Sequence, residues 1–166
     1  MTSNITLYPC ERLFDQNLEA TIISFIPKQI FSSGDAFYAK LRFPTLPDEI
    51  KENEIILPGE FKVVETKQTN IYLAYVSPPI FNDYNNEYKF DSTTYTLDIC
   101  LKKIKADLIS KNIKNIGFST MDAYDPRFQL SKSSKFTNKL NFEEVIQIMR
   151  NIFNDFDGKI GIYRTQ

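Results

Sequence analysis

KLNFEEVIQIMRNIF, residues Lys139 to Phe153, specifies a helix from cap to exit. Asn141 stands where an N-cap side chain can accept from free N–H groups, and Glu144, three residues on, can reach back to the cap. Phe142, Val145, Ile146, Met149, Ile152 and Phe153 recur at steps of three and four, which places them on one apolar stripe. Asp157-Gly158 supplies the turn out, and KIGIY after it reads as a buried strand. The polar loop before the helix ends at a helix amino-terminus. There, unpaired N–H groups and the positive end of the dipole favour phosphate or carboxylate.

Working outward, ITLY (Ile5 to Tyr8) and ATIISF (Ala20 to Phe25) have the β-branched composition of buried strands. Asp35 to Phe43 reads as a helix that Pro44 ends. Glu60 to Val64 and Asn70 to Val76 form strand-like runs around a polar turn at Thr66 to Thr69. Paired prolines and many Asn and Asp make Val76 to Asp91 a long surface loop. A helix capped by Ser92 runs to near Asn112, a strand follows over Ile113 to Thr120, and a second long loop spans Met121 to Leu140. The order β-β-α-β-β-α-β-α-β predicts one α/β domain over residues 1–166, with three α-β-α layers around a mixed central sheet and right-handed crossovers.

Composition narrows the function classes. Apolar residues make up 42% and charged residues 25%, with fourteen Phe and nine Tyr but no Trp, which is a globular mixture and not a disordered one. A net charge of −1 leaves no whole-molecule field, so polyanion binding needs a local patch. Cys10 and Cys100 lie far apart without metal-ligand spacing, and no leader precedes them. They read as reduced thiols of a cytoplasmic or nuclear protein. No apolar run has the length of a membrane span. Neither a cofactor nor a metal is expected.

Three stretches resemble the macro domains, in particular the small single-domain branch that removes ADP-ribose from protein carboxylate esters. ITLYPCERLF is similar to that branch's first strand and its Gly-Asp-Leu-Phe adenosine-binding turn, with Glu11 where the acid contacts adenine. SSGDAFYAKLRF is similar to the first phosphate loop, Gly-Ala-Gly-Ile-Ala, and its helix. That similarity implies a ligand role for Ser33, Gly34 and Asp35, with Gly34, Ala36 and Phe43 as the clean matches. KLNFEEVIQIMRNIF resembles the closing Leu-Gln-Trp-Glu-x-Val helix through Leu140, Phe142 and Val145.

The departures from the family pattern bear on mechanism. Counted back from Phe142, the family's second loop, Gly-Cys-Gly-Leu-Asp, falls on Ser134, Lys135, Phe136, Thr137 and Asn138. The catalytic Asp is then Asn138, and the loop's ligand positions are Ser134, Phe136 and Asn138. The family's nucleophilic lysine falls near Ser77. An amide takes no proton as a carboxylate does, and an unassisted serine forms no adduct. Three readings follow. The first is a non-catalytic macro-like binding module for a protein partner, a nucleic acid or, weakly, an ADP-ribose-like nucleotide. The second is single-stranded RNA or other nucleic-acid binding through Arg127, Lys132, Lys135 and Lys139, with Phe128 and Phe136 interleaved among the cations. The third is an active hydrolase using the available acids Asp35, Asp122 and Asp125.

Overall fold

The computed structural model describes residues 5–25, 34–50, 56–76, 79–82, 87–90, 93–128 and 141–166. Strands β1 (Ile5–Arg12), β2 (Ala20–Ser24), β3 (Phe61–Glu65), β4 (Asn70–Ala74), β7 (Asn115–Phe118) and β8 (Lys159–Arg164) form one sheet in the order β1-β8-β7-β2-β4-β3. Only β3 runs against its neighbour, so the sheet is mixed. Between β4 and β7 lie the hairpin strands β5 (Pro79–Asn82) and β6 (Glu87–Phe90). Three α-helices, α1 (Gly34–Arg42), α2 (Thr93–Ser110) and α3 (Phe142–Ile152), and two short helical turns, Leu13–Asp15 and Leu46–Glu49, complete the described elements.

The parallel centre explains the layering. Every residue of β2 is buried, and successive side chains point to opposite faces. Ile22 joins Tyr72, Ile116 and Phe118 on one face, against Leu97, Leu101, Ile104 and Leu108 of α2 and the stripe of α3. Ile23 joins Ile71 and Leu73 on the other, against Ala36 and Ala39 of α1 and the short helical turn at Leu13 and Phe14. This is the three-layer arrangement expected from the alternation of elements. The stripe of α3 buries Phe142, Val145, Ile146, Met149 and Ile152. At about 1.5–3 kcal/mol per apolar side chain, their burial is a gross gain on the order of 10 kcal/mol before ordering costs.

The cap of α3 has the expected form. Asn141 accepts from the Glu144 N–H at 2.8 Å, and the Asn141 amide donates toward the Glu144 carboxylate at 3.5 Å.

Three expectations are corrected. Residues 79–82 and 87–90 pair as an antiparallel hairpin inside what reads as a surface loop. Pro79 is tolerated because it is the first residue of its strand, where no ladder donor is lost from the interior. Strand β1 continues past Tyr8 to Arg12 through an irregularity in its pairing with β8, so Glu11 sits on a strand and the turn begins at Leu13. Strand β7 is shorter than the expected run Ile113 to Thr120: it begins at Asn115, its ladder ends at Phe118, and the Ser119 N–H makes a last bond to the Ile22 carbonyl at 3.0 Å before the chain turns toward Asp122.

Candidate functional site

Strands β1, β8, β7 and β2 are mutually parallel, so their carboxyl ends share one rim. Open α/β sheets bind ligands at such rims. The chain places polar residues there in strand order: Glu11 at the end of β1, Thr165 after β8, Ser119 after β7 and Ser24 closing β2.

Asp35, in the first turn of α1, is the hub of this rim and is only 2% exposed. Its Oδ2 accepts from the Ser24 N–H at 3.1 Å and lies 3.2 Å from the Ser24 hydroxyl. The Ser119 hydroxyl also donates to Oδ2, and the Thr165 hydroxyl donates to Oδ1 at 3.3 Å. Ser119 is itself oriented by the Met121 N–H, which donates to its oxygen at 2.9 Å. Residues at the ends of three strands thus converge on one carboxylate carried by α1.

The half-buried Asp122 meets this group from the turn after β7. Its Oδ1 accepts from the Asp35 N–H at 3.1 Å, and its Oδ2 is hydrogen-bonded to the Ser24 hydroxyl. The Asp35 N–H belongs to the first turn of α1, where backbone donors have no partner within the helix, so Asp122 supplies the missing acceptor. Gly34 makes this approach possible. It has φ +65°, and a Cβ there would lie 2.7 Å from Asp122 Oδ1. Met121 and Asp122 also hold positive φ, 55° and 61°, a conformation that costs a residue bearing a Cβ.

Two carboxyls this close cannot both ionise freely. Burial raises the pKa of Asp35 against the opposing pull of its hydrogen bonds. Asp122 is raised well above the ordinary carboxylate range, by burial first and then by the charge of Asp35. The pair therefore retains a proton, held preferentially on Asp122, at pH values where isolated carboxylates have lost theirs.

Of the residues singled out in the sequence, Gly34 and Asp35 lie in this constellation. Glu11 is on the same rim at the sheet edge, with β8 and β7 between it and β2. Ser33, Ser77, Lys132, Ser134, Lys135, Phe136, Asn138 and Lys139 lie outside the described residues. Arg127 is engaged locally. Its guanidinium donates to Asp125 from Nε at 3.0 Å and from a terminal nitrogen at 2.9 Å, and it sits 3.8 Å from Glu143 and 5.5 Å from the centre of the Phe142 ring. Those hydrogen bonds hold the Asp125 carboxyl below its usual range. Of the three available acids, Asp35 and Asp122 come together while Asp125 pairs with Arg127. Ser24, Ser119 and Thr165 escaped the sequence reading; the signal was a hydroxyl residue at the last position of a strand or just past it. Among the described residues, no group of three or more His, Cys, Asp or Glu is arranged to hold a metal, and no helix is long and apolar enough to cross a membrane.

No protein-family sequence model matches the chain. No curated protein matches it by sequence either. Solved structures do match in fold. The macrodomain of Mycobacterium tuberculosis DarG superposes with a TM-score of 0.72 at 18% identity, over 96% of this chain and 97% of that one. The Thermus aquaticus DarG macrodomain gives the same TM-score and the same coverage at 12% identity. Thermosipho africanus DarTG, solved in complex with ADP-ribose, superposes with a TM-score of 0.70 at 15% identity, over 98% of this chain and 42% of that longer one. The mixed six-stranded sheet, the helices on its two faces and these superpositions agree: the chain has the macrodomain fold.

Proposed function

We propose that this macrodomain is a binding module for ADP-ribose-like nucleotides that does not hydrolyse them. One observation carries the reading: the polar rim at the carboxyl ends of β2 and β7, beside the start of α1, on a fold shared with a protein solved in complex with ADP-ribose. Lack of turnover is supported by the state of the acids. Asp35 is sealed beneath its hydroxyl donors, and Asp122 is committed to the α1 backbone and to Ser24. The replacements at Ser77 and Asn138 read from the sequence point the same way. The free thiols Cys10 and Cys100 fit the cytoplasmic or nuclear setting we assign to it.

A second reading, slow hydrolysis with Asp122 as proton donor, is favoured by one specific feature, the proton retained by the carboxyl pair. Calorimetric titration with ADP-ribose, run beside an assay for ADP-ribose release from a glutamate-modified peptide, separates the two. Saturable binding without release is the expected result. Release above the uncatalysed rate, lost in Asp122→Asn, establishes the hydrolase instead. Binding of a short single-stranded RNA with no response to ADP-ribose overturns both, and assigns the function to Arg127, Lys132, Lys135 and Lys139.

A further inference from the structure

We propose that Arg12 and Arg164 form an anion site at the carboxyl ends of β1 and β8, built to take a phosphate group between their two guanidinium groups. The site lies on the rim but stands independently of the nucleotide-binding reading above.

Strand register brings the two arginines together. Strands β1 and β8 run parallel with Tyr8 opposite Tyr163, so an unbroken ladder would set Pro9 against Arg164. The irregularity in β1 instead passes over Pro9, Cys10 and Glu11 and sets Arg12 there. Residues partnered in this way lie about 5 Å apart and on one face of the sheet. Irregularities of this kind gather beside functional sites, where they re-aim a side chain. Tyr163 packs with Leu13, Phe14 and Ala36 on the α1 face, and strand alternation turns Arg164 to the other face, which Ile160 and Ile162 share with α3.

Nothing among the described residues balances this pair. Like charges in register repel each other, and burial raises the cost. Yet Arg164 is half-buried, and its Nε is shut off from solvent without a hydrogen-bond partner. No carboxylate or other acceptor among the described residues engages either guanidinium, and Glu11 forms no ion pair with its neighbour. Arg42 and Arg127 show the ordinary case: the first donates to Gln68 at 3.2 Å and the second to Asp125 at 2.9 Å. An orphaned buried donor beside a second unpaired cation calls for an acceptor that carries negative charge. Phosphate fits by its chemistry, because its oxygens accept from several N–H groups at once and the planar fork of an arginine meets two of them. A carboxylate, with two oxygens, saturates one fork and leaves the other arginine unpaired. With a net charge of −1 the molecule has no general attraction for anions, so affinity comes from this pair.

The test follows the arginine side chains by NMR in nitrogen-15-labelled protein, where the Nε–H of Arg164, shielded from water, gives its own signal. Inorganic phosphate is expected to shift this signal and that of Arg12 along one saturating curve, with an apparent Kd of about 1 mM or below, while chloride at equal ionic strength leaves both in place. Arg164→Lys keeps the charge and loses the fork, and should weaken phosphate binding about tenfold. Arg12→Gln, at an exposed position that keeps its fold, should weaken it about threefold or more, and Arg42→Gln should change it by less than about twofold. ADP-ribose distinguishes the sources of the phosphate. If it moves both signals and competes with inorganic phosphate, the site serves a nucleotide; if it binds without moving them, the site takes a separate anion. Arginine signals that stay fixed through about 20 mM phosphate, or equal affinity in the wild type, Arg164→Lys and Arg12→Gln, overturn the inference. ADP-ribose binding that persists in that case leaves the proposed function standing.

Discussion

Replacing Gly34 by alanine tests the construction of the rim without any ligand. At φ +65° an alanine incurs the left-handed penalty of roughly 1–2 kcal/mol. Its Cβ would stand 2.7 Å from Asp122 Oδ1 and 3.1 Å from Cγ and Oδ2, so the carboxyl group must withdraw. Withdrawal gives up the bond from the Asp35 N–H. With the proton of the pair on Asp122 the acceptor is a neutral carboxyl, and a net hydrogen bond of that kind is worth about 0.5–1.5 kcal/mol, so its loss costs about 1 kcal/mol. The total expected for Gly34→Ala is about 2–3 kcal/mol, read from urea unfolding with an unchanged m-value. In an Asp122→Gly background both the clash and the bond are gone. There the alanine should cost about 1–2 kcal/mol, a coupling of about 1 kcal/mol between the two positions. A cost below about 0.5 kcal/mol in the wild type, or the same cost in both backgrounds, refutes the contact between Gly34 and Asp122 on which the rim depends.

Three further outcomes follow from the same contacts. Because the Asp35–Asp122 pair holds a proton that the unfolded chain has lost, its contribution is complete below the ordinary carboxylate pKa and declines as pH rises through the raised one. Urea midpoints between about pH 4 and pH 8 should fall over that window, at up to about 1.4 kcal/mol per pH unit for one proton, and Asp122→Asn should flatten the decline. Tyr72→Phe removes a hydroxyl that donates to Asp107 at 2.5 Å, and should cost about 1–2 kcal/mol in equilibrium unfolding while leaving ADP-ribose binding unchanged. Asn141→Ala deletes the α3 cap and should cost about 1 kcal/mol, with Asn141→Asp, which keeps the acceptor, restoring most of it.

The sheet and its helices were legible because their signals are local. In α3, the cap and the apolar stripe lie in one continuous stretch, and each residue plays the part its spacing implies. The same holds for β2 and β7, whose apolar runs are short and β-branched or aromatic. The hairpin of β5 and β6 was missed because its prolines and asparagines are loop formers by composition, and pairing between strands decides such segments more than propensity does. At the rim, Gly34 and Asp35 could be read from the likeness to a phosphate loop. The meeting of Asp35 with Asp122 could not, because it depends on left-handed backbone at Met121 and Asp122, residues whose identity carries no glycine signal. Ser24 and Ser119 become part of a site only once strands β2 and β7 lie side by side.

The order of strands also governs how the molecule can be assembled. Strand β8 follows every other strand in sequence but lies inside the sheet, bridging β1 on one side and β7 on the other. As the polypeptide leaves the ribosome, β2, β4 and β7 can join with the helices that cover them, while β1 has no neighbour in the sheet. Ile5 waits for Ile160, a contact about as distant in sequence as the chain permits, and long-range parallel pairing of this kind is slow. Thr165, which closes the hydrogen bonding around Asp35, arrives with that same strand. The rim is therefore completed only after synthesis has passed β8, and a nascent chain stalled before it lacks both the first strand's partner and the last donor to the acid beneath the rim.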